Sequence, residues 1–215
     1  MSQEIELKVP VSQEQFNAIY QKIYVRKNHE NIIILESSTD KISKSDEYFT
    51  RYNSREEMIK YNEPQVIRIR TEIINGKKQS YFTIKRKTLE NGIEVNKEDE
   101  TFLENDEALR ILFEEAGYKR WFYKEKTSFS SYCALAEGAG QTRFHLELVT
   151  VNGMNYVEVE LVINDDEAGA KAGAEIKKPE ANHKAELEKF IIALGLNPAD
   201  KDPRSWYQII SENNH

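Results

Sequence analysis

Seven segments of the chain alternate between ionisable and apolar residues, and this pattern constrains the fold more than any other feature of the sequence. Successive side chains of a β-strand point to opposite faces, so each segment is predicted to be a strand with one charged face and one apolar face. The charged face of a solvated sheet usually mixes Thr, Ser, Gln and Lys, whereas these faces consist almost only of Glu, Arg and Lys. Their positions are Glu4/Glu6/Lys8, Arg68/Arg70/Glu72, Thr83/Lys85/Lys87, Glu94/Asn96/Glu98/Glu100, Lys124/Lys126, Arg143/His145/Glu147 and Tyr156/Glu158/Glu160.

Most of these segments carry one sign of charge. Residues 4–6, 94–100 and 158–160 are acidic, and residues 68–70, 85–87 and 124–126 are basic. Alternation alone also fits an open sheet with its polar face in water, but the composition favours a closed barrel with a polar interior and helices outside. Buried charges are costly unless they are neutralised, so such an interior needs bound ions or a multiply charged ligand. Cations facing carboxylates indicate a polyphosphate held together with Mg²⁺ or Mn²⁺.

The order of elements indicates an α+β fold with a mainly antiparallel sheet in one domain, residues 1–215. Asn-Gly pairs at 75–76, 91–92 and 152–153 predict tight turns. Residues 26–45 are ambiguous, and 164–178 are predicted to be a loop or a weak helix. Strands are predicted at 4–9, 46–50, 65–74, 79–88, 93–103, 119–132, 142–151 and 155–163. Helices are predicted at 12–24 with a capping box, from 105 to a stop at Gly117, at 182–194, and after Pro203.

Composition excludes several classes of protein. There is no apolar run near the ~18 residues that a membrane-spanning helix needs, and no signal peptide at the amino terminus. The single cysteine, Cys133, excludes an internal disulfide and fits a cytoplasmic protein. A net charge of −7 argues against nonspecific nucleic-acid binding. We therefore expect neither nucleic acid nor membrane as a partner; the oligomeric state is not determined, and a homodimer remains open.

The sequence lacks the common motifs that bind or cleave phosphates in other enzymes. The sequence contains no glycine-rich phosphate loop, no serine nucleophile motif and no Cys/His spacing for zinc. Catalysis in such a chain would have to be electrostatic and metal-assisted.

The ordered set of motifs resembles the CYTH family, the triphosphate tunnel metalloenzymes, from end to end. The matching segments are Glu4-x-Glu6-x-Lys8, Ile67-Arg68-Ile69-Arg70, Phe82-Thr83-Ile84-Lys85, Glu98-Asp99-Glu100, Lys124-x-Lys126, Arg143-x-His145-x-Glu147, Tyr156-Val157-Glu158-Val159-Glu160 and Arg204-Ser205-Trp206-Tyr207. The chain departs from the family pattern in four places. Glu147 stands where Asp is usual, and Asn96 where many members have Arg. The glycine-rich turn before the last strand is here Val-Asn-Gly-Met-Asn, and the region 26–45 is longer than usual. The resemblance implies a closed eight-stranded antiparallel β-barrel that forms a tunnel.

The resemblance also implies roles for individual residues. Glu4, Glu6, Glu158 and Glu160 are expected to bind the metal. The triphosphate is expected to contact Lys8, Arg68, Arg70, Lys85, Lys87, Lys124, Lys126, Arg143 and His145. Lys8 is also a candidate catalytic residue, with Glu98, Glu100 and Glu147; these three glutamates would hold a second metal, orient water, or fix the Lys and Arg side chains. Trp121 and Tyr123 lie on the apolar side of their strand and are expected in the core.

Two reactions are known in the family, and the sequence does not decide between them. Some members hydrolyse inorganic triphosphate, thiamine triphosphate or nucleoside triphosphates. Class IV adenylyl cyclases convert ATP to cyclic AMP and pyrophosphate. We favour a metal-dependent triphosphatase, because no base pocket can be identified from the sequence. A non-catalytic polyphosphate-binding module is a third alternative.

Overall fold

The computed structural model describes residues 2–61, 65–90, 93–137, 142–163 and 180–213. The strands are β1 (Ser2–Pro10), β2 (Ile32–Ser37), β3 (Ile42–Thr50), β4 (Gln65–Ile74), β5 (Lys77–Glu90), β6 (Ile93–Leu103), β7 (Lys119–Leu135), β8 (Phe144–Val151) and β9 (Met154–Ile163). The α-helices are α1 (Gln13–Tyr20), α2 (Arg55–Lys60), α3 (Glu107–Glu115), α4 (Glu180–Ala193) and α5 (Trp206–Asn213). A π-helical turn, Gln21–Val25, extends α1, and a 3₁₀ turn spans Pro198–Asp200.

Local signals account for several element ends. The predicted capping box is present at α1, where Ser12 and Gln15 exchange side-chain to backbone hydrogen bonds. Gly195, with a φ of +83°, follows α4. The Asn75-Gly76 and Asn152-Gly153 turns both have positive φ at their two residues, as tight hairpins require. The third predicted turn, at 91–92, and the segment 164–178 lie outside the described residues.

All nine strands form one antiparallel sheet in the order β2-β7-β3-β4-β5-β6-β1-β9-β8, and β7 also pairs with β8. The long strand β7 therefore has three neighbours. Along one edge Lys119–Ser128 pair with β3 and Ser131–Leu135 with β2, and along the other edge Thr127–Cys133 pair with β8. The α+β class and the antiparallel sheet are confirmed.

The prediction of eight strands in a closed barrel is corrected by two observations. The ambiguous region 26–45 forms β2 and the start of β3, which makes nine strands in the part of the chain that the structure describes. The β7–β8 ladder covers only Thr127–Cys133, because β8 ends at the turn that begins with Asn152. The sheet is thus joined along part of β7 and is not a uniformly closed barrel.

The apolar face of the sheet packs against the helices, as the sequence pattern predicted. Helices α1 and α4 contribute Phe16, Leu187 and Phe190 to a core with Leu7 and Leu146 of the sheet. A second core joins Phe113 of α3 to β3 and β4. The charged face is therefore turned away from the helices. No helix in the described part of the chain combines the length and apolar character needed to cross a membrane.

Helix α5 is the exception, because it packs at one end of the charged face. Ile209 of α5 contacts Val149 and Tyr156, which share their strand faces with Glu147 and Glu158. Asp202 anchors the chain before α5: its backbone N–H donates to the Lys8 carbonyl oxygen, and its carboxylate accepts from the Tyr156 hydroxyl. The segment 203–208 is thereby held beside the charged face.

Candidate functional site: a cavity with two oppositely charged halves

The charged face of the sheet lines one cavity of about 470 Å³. That volume lies within the roughly 300–1,000 Å³ that is usual for small-molecule sites. Its ionisable side chains are Glu6, Lys44, Arg68, Arg70, Lys85, Glu98, Glu100, Lys124, Lys126, His145, Glu147, Glu158 and Glu160. The alternation in the sequence therefore brings most of the predicted site residues together.

The charges of the cavity are sorted by sign across the sheet. Every Lys and Arg in its lining comes from β7, β3, β4 or β5, which are consecutive in the sheet. Every Glu in its lining comes from β6, β1, β9 or β8, which are also consecutive. We call these the basic half and the acidic half. A ligand in the cavity is thus placed between a wall of cations and a wall of carboxylates.

Asp46 holds the basic half together. Its carboxylate is fully buried and accepts hydrogen bonds from Arg70 Nε at 2.7 Å and Nη2 at 3.1 Å. It also forms an ion pair with Lys124 Nζ at 3.0 Å. Burial alone would raise the pKa of Asp46, but the neighbouring cations Arg70 and Lys124 hold that pKa well below its usual value. Asp46 was not among the predicted site residues, because its strand, predicted at 46–50, was not one of the seven segments with alternating charged residues.

Glu147 and Glu158 form a second buried network where the two halves meet. Lys126 Nζ contacts Glu147 Oε2 at 2.9 Å and Glu158 Oε2 at 2.8 Å. Lys44 Nζ, another residue that the sequence did not single out, lies 2.6 Å from Glu147 Oε1. Burial acts to raise the pKa of Glu158, but Lys126 outweighs it and lowers this pKa to about 2. Both glutamates are therefore carboxylates at neutral pH.

Arg68 and Lys85 join the halves on the other side of the cavity. Lys85 Nζ lies 2.5 Å from Glu98 Oε1, its cross-strand neighbour, and 4.0 Å from Glu6 Oε2. Arg68 Nη2 donates to Thr83 Oγ1 at 3.0 Å and lies 3.4 Å from Glu100 Oε2. The Nε of Arg68 is buried without a hydrogen-bond partner in the described structure. A buried guanidinium donor of this kind is suited to an oxygen-rich anion.

The carboxylates of the acidic half are the ligand type that hard divalent cations prefer. In this structure, however, they do not form a complete metal site. Glu6 and Glu160 face each other across β1 and β9, where cross-strand side chains are neighbours. Glu158 is instead held by Lys126 and by Trp206, whose Nε1 donates to Glu158 Oε1 at 2.7 Å. Within the described ranges no three His, Cys, Asp or Glu side chains converge on one point. The side chain of the fourth predicted ligand, Glu4, lies outside the described residues.

The other predicted residues are placed as follows. His145 lines the cavity and lies between Ser130 Oγ and Glu160 Oε2, at 2.8 Å and 3.2 Å. Lys8 is buried on β1 and is not part of the cavity lining. Arg143 is exposed, contacts Glu36 and the Tyr132 ring, and is not part of the cavity lining. The Lys87 side chain lies outside the described residues.

Trp121 and Tyr123 are not core residues, contrary to the sequence-based expectation. Trp121 lines the cavity, and Tyr123 is an exposed residue. For Trp121 the reason is an irregularity in the β3–β7 register: Tyr48 is paired with Phe122, and the next residue, Phe49, with Arg120. Tyr123 keeps its predicted face, opposite to that of Lys124, but its side chain is exposed there. The bulge changes the alternation in β7, and sequence periodicity does not show where a bulge falls.

Comparison with known proteins shows the fold. No family model matches the sequence, and no curated protein matches it. Among solved structures, the protein PH1819 from Pyrococcus horikoshii OT3 matches with a TM-score of 0.66 and 22% identity, over 98% of this chain and 99% of that one. A protein from Vibrio parahaemolyticus named "putative adenylate cyclase" matches with a TM-score of 0.60 and 17% identity, over 97% of each chain.

A third solved structure, HpAC1 from Hippeastrum, matches with a TM-score of 0.58 and 13% identity, over 99% of this chain and 96% of that one. It is described as a putative adenylyl cyclase with a dominant triphosphatase activity. At such identities a structural match shows a shared fold and does not transfer an activity. This chain therefore shares its fold with two proteins that are named "putative" adenylate or adenylyl cyclases, which is consistent with the CYTH family that its sequence motifs resemble.

Proposed function

We propose that this protein is a metal-dependent triphosphatase that hydrolyses a triphosphate bound in the cavity. The observation that carries the proposal is the separation of the cavity into a basic half and an acidic half. A triphosphate needs several cations close together, and a divalent cation bound to its oxygens needs carboxylates on the opposite side. The sequence motifs of this chain resemble those of the CYTH family, whose members bind triphosphate in a tunnel. In this proposal the partly joined sheet serves as that tunnel.

The basic half would bind and orient the phosphates. Arg68, Arg70 and Lys124 present donors that are already fixed by Thr83 and Asp46, so little reorganisation is needed when a ligand arrives. Donors that are fixed in advance stabilise the charge that develops on phosphate oxygens in the transition state. Attack of water on the terminal phosphorus would break its bond to the bridging oxygen and release orthophosphate.

The acidic half would hold Mg²⁺ or Mn²⁺ through Glu6 and Glu160. Such an ion, when bound, supplies charge neutralisation at the phosphate oxygens. Glu158 is the third candidate ligand, but its two oxygens are engaged by Lys126 and Trp206, so it would join only by exchanging one of these contacts. The carboxylates of Glu98, Glu100 and Glu147 fix the cations opposite them, which is one of the roles that the sequence left open.

Class IV adenylyl cyclase activity is the second candidate. One observation favours it: aromatic side chains, among them Tyr48 and Trp121, line the same cavity as the phosphate-binding cations. An adenylyl cyclase must hold a base as well as a triphosphate. Two structural neighbours carry adenylate or adenylyl cyclase in their names.

Product analysis tests the proposal. Purified protein with Mg²⁺ or Mn²⁺ is offered inorganic triphosphate, thiamine triphosphate and ATP in parallel. We expect orthophosphate release, and Glu6→Gln should lower kcat/KM on the order of 100-fold or more, since it removes one carboxylate from the acidic half. The matched control is Glu125→Gln, which changes an exposed glutamate and should keep full activity.

The other outcomes are distinct. Pyrophosphate together with cyclic AMP from ATP would make the protein a cyclase. Equal rates for Glu6→Gln and Glu125→Gln would contradict the role of the acidic half. Binding of triphosphate without turnover under any metal would leave the non-catalytic binding module.

A further inference from the structure

One stretch of the cavity lining is aromatic. Tyr48 of β3, Trp121 and Phe122 of β7, and Tyr207 of α5 all line the cavity; we call these residues the aromatic wall. Their rings are in mutual contact. The ring centroids of Trp121 and Tyr207 are 4.9 Å apart, those of Phe122 and Tyr207 5.3 Å, and those of Tyr48 and Phe122 5.2 Å.

The aromatic wall depends on the bulge in β7. In a regular strand two successive side chains point to opposite faces, so Trp121 and Phe122 could not both reach one cavity. The register shift at this point leaves Trp121 without a partner residue on β3 among the described pairs, and both rings line the cavity as a result. Bulges that redirect a side chain are over-represented next to functional sites.

These rings do not belong to a hydrophobic core. In the described part of the chain, the cores consist of other residues, and each ring of the aromatic wall is only half-buried. The four rings pack on one another, but part of their surface stays open to the cavity beside the buried charges. Aromatic side chains with a few placed polar groups are typical of sites for organic ligands.

The aromatic wall adjoins the phosphate-binding cations. Lys124 Nζ lies 5.9 Å from the centre of the Tyr48 ring, and Lys124 also lines the cavity. A ligand whose phosphates contact Lys124 would therefore place a substituent at its end against the rings. Inorganic triphosphate has no such substituent and would leave this surface in water.

We infer that the ligand is an organic triphosphate with a flat aromatic group, which stacks on the aromatic wall, and that Trp121 and Tyr207 determine this preference over inorganic triphosphate. The inference rests on the proposed function, because it assumes that phosphates bind in the basic half. Nucleoside triphosphates and thiamine triphosphate share the required chemistry.

Binding measurements separate this inference from the proposed function. Isothermal titration with Mg²⁺ gives the Kd of inorganic triphosphate, ATP and thiamine triphosphate for the wild type, Trp121→Ala, Tyr207→Ala and a control, Tyr123→Ala. Tyr123 is on the same strand but is exposed outside the cavity. Since stacking of a base on an aromatic ring is worth about a 5- to 150-fold change in affinity, we expect at least roughly tenfold weaker binding of an aromatic triphosphate to both cavity variants. Inorganic triphosphate should bind all four proteins alike.

Intrinsic fluorescence supplies a second readout that does not depend on variants folding well. The chain has two tryptophans, Trp121 and Trp206, and both line the cavity. An aromatic triphosphate should quench the emission of the wild type more than inorganic triphosphate does at equal saturation.

Each outcome has one meaning. Tighter binding of ATP or of thiamine triphosphate, lost in the cavity variants, supports the inference and identifies the source of the aromatic group. Equal affinities of the wild type for all three ligands, with no effect of Trp121→Ala or Tyr207→Ala, would overturn the inference and leave the triphosphatase proposal standing. Failure of every triphosphate to bind would overturn both.

Discussion

Asp46 shows how one side chain sets the geometry of a charged cavity. It is the fully buried carboxylate between Arg70 and Lys124, and it balances cations that would otherwise repel each other in a site of low dielectric constant. A cation that is fixed in this way keeps its position whether or not a ligand is bound. The proposed ligand binding in the basic half would therefore depend on a residue that does not line the cavity itself.

Asp46→Asn should destabilise the protein by roughly 3–5 kcal/mol at neutral pH, because it leaves buried cations without their counter-charge. The pKa of Asp46 is lower in the folded protein than its ordinary value of 3.8, so the wild type has the full benefit above that pH. As the pH falls below 3.8, the unfolded chain takes up the proton first and the benefit is progressively lost. The difference between wild type and variant should therefore shrink in acid.

Urea unfolding at neutral pH, at about pH 5 and at about pH 3 measures this difference. Asp99→Asn is the control, since Asp99 is an exposed residue in a surface ion pair with Arg86 and should cost no more than about 0.5 kcal/mol. A gap between wild type and Asp46→Asn that stays constant with pH would show that the carboxylate charge is not responsible.

At the scale of single residues, the sequence predicts on which face of a strand a side chain lies, and no more. Glu6, Arg68 and Glu158 were correctly predicted to share one face with the other charged positions, since alternation is a local property. Which charges meet is not local. Lys126 contacts Glu147 and Glu158 only because β7 pairs with β8 and β8 with β9. Arg143 has the periodicity of its segment, but it precedes β8 and forms an exposed ion pair with Glu36.

At the scale of elements, the hairpin between β8 and β9 fixes the register of the acidic half. Its turn, Asn152-Gly153, places Glu147 opposite Glu158 and His145 opposite Glu160. A slip by one residue would turn these side chains to the apolar face. The turn dipeptide was recognisable in the sequence, so this part of the site was predictable.

Gly153→Ala should cost about 1–2 kcal/mol, because Gly153 has a φ of +77° that an L-residue with a Cβ adopts only with strain. A Cβ at this position would meet no atom within 4 Å, so the cost is conformational and not a clash. Thermal unfolding of the variant measures it. Asn152→Gly is the matched control, since glycine tolerates the φ of +48° there, and it should be nearly neutral. Equal losses in both variants would contradict the conformational explanation.

Other elements were not predictable for physical reasons. Strand β2 lies in a region without clear alternation, and it is stabilised by pairing with the far end of β7. The bulge at Trp121 depends on the register between β3 and β7, which no single segment encodes. The position of α5 against Val149 and Tyr156 is likewise a tertiary contact. The sequence therefore predicted the part of the cavity that regular strands line. It did not predict the end of the cavity that is formed by the bulge and α5.

For the whole molecule, the order of the strands matters more than the charge of any one of them. All Lys and Arg residues of the lining lie on four consecutive strands, and all acidic residues lie on the next four, so like charges are close together. Repulsion within each half is offset by ion pairs at the two boundaries, such as Lys85 with Glu98 and Lys126 with Glu158. An anion on one side and a cation on the other would relieve the repulsion in both halves.

This arrangement predicts that a triphosphate and a divalent cation stabilise the protein synergistically. Each ligand alone neutralises one half but adds its own charge beside the other half, where it is less favourably placed. Together they neutralise both halves and each other. At a ligand concentration of 100 times Kd, binding contributes about 2.7 kcal/mol, which for a chain of this size is a rise in Tm of roughly 5–10 °C.

Thermal unfolding with inorganic triphosphate, Mn²⁺, both, or neither measures the effect, and it requires no turnover. The shift with both ligands should exceed the sum of the separate shifts, and increasing ionic strength should reduce it, because salt screens the charges. Glu6→Gln should lose the synergy while keeping most of the shift produced by triphosphate alone, since that shift arises in the basic half. Additive shifts in the wild type, or an equal loss of both effects in the variant, would mean that the two halves of the cavity do not bind separate partners.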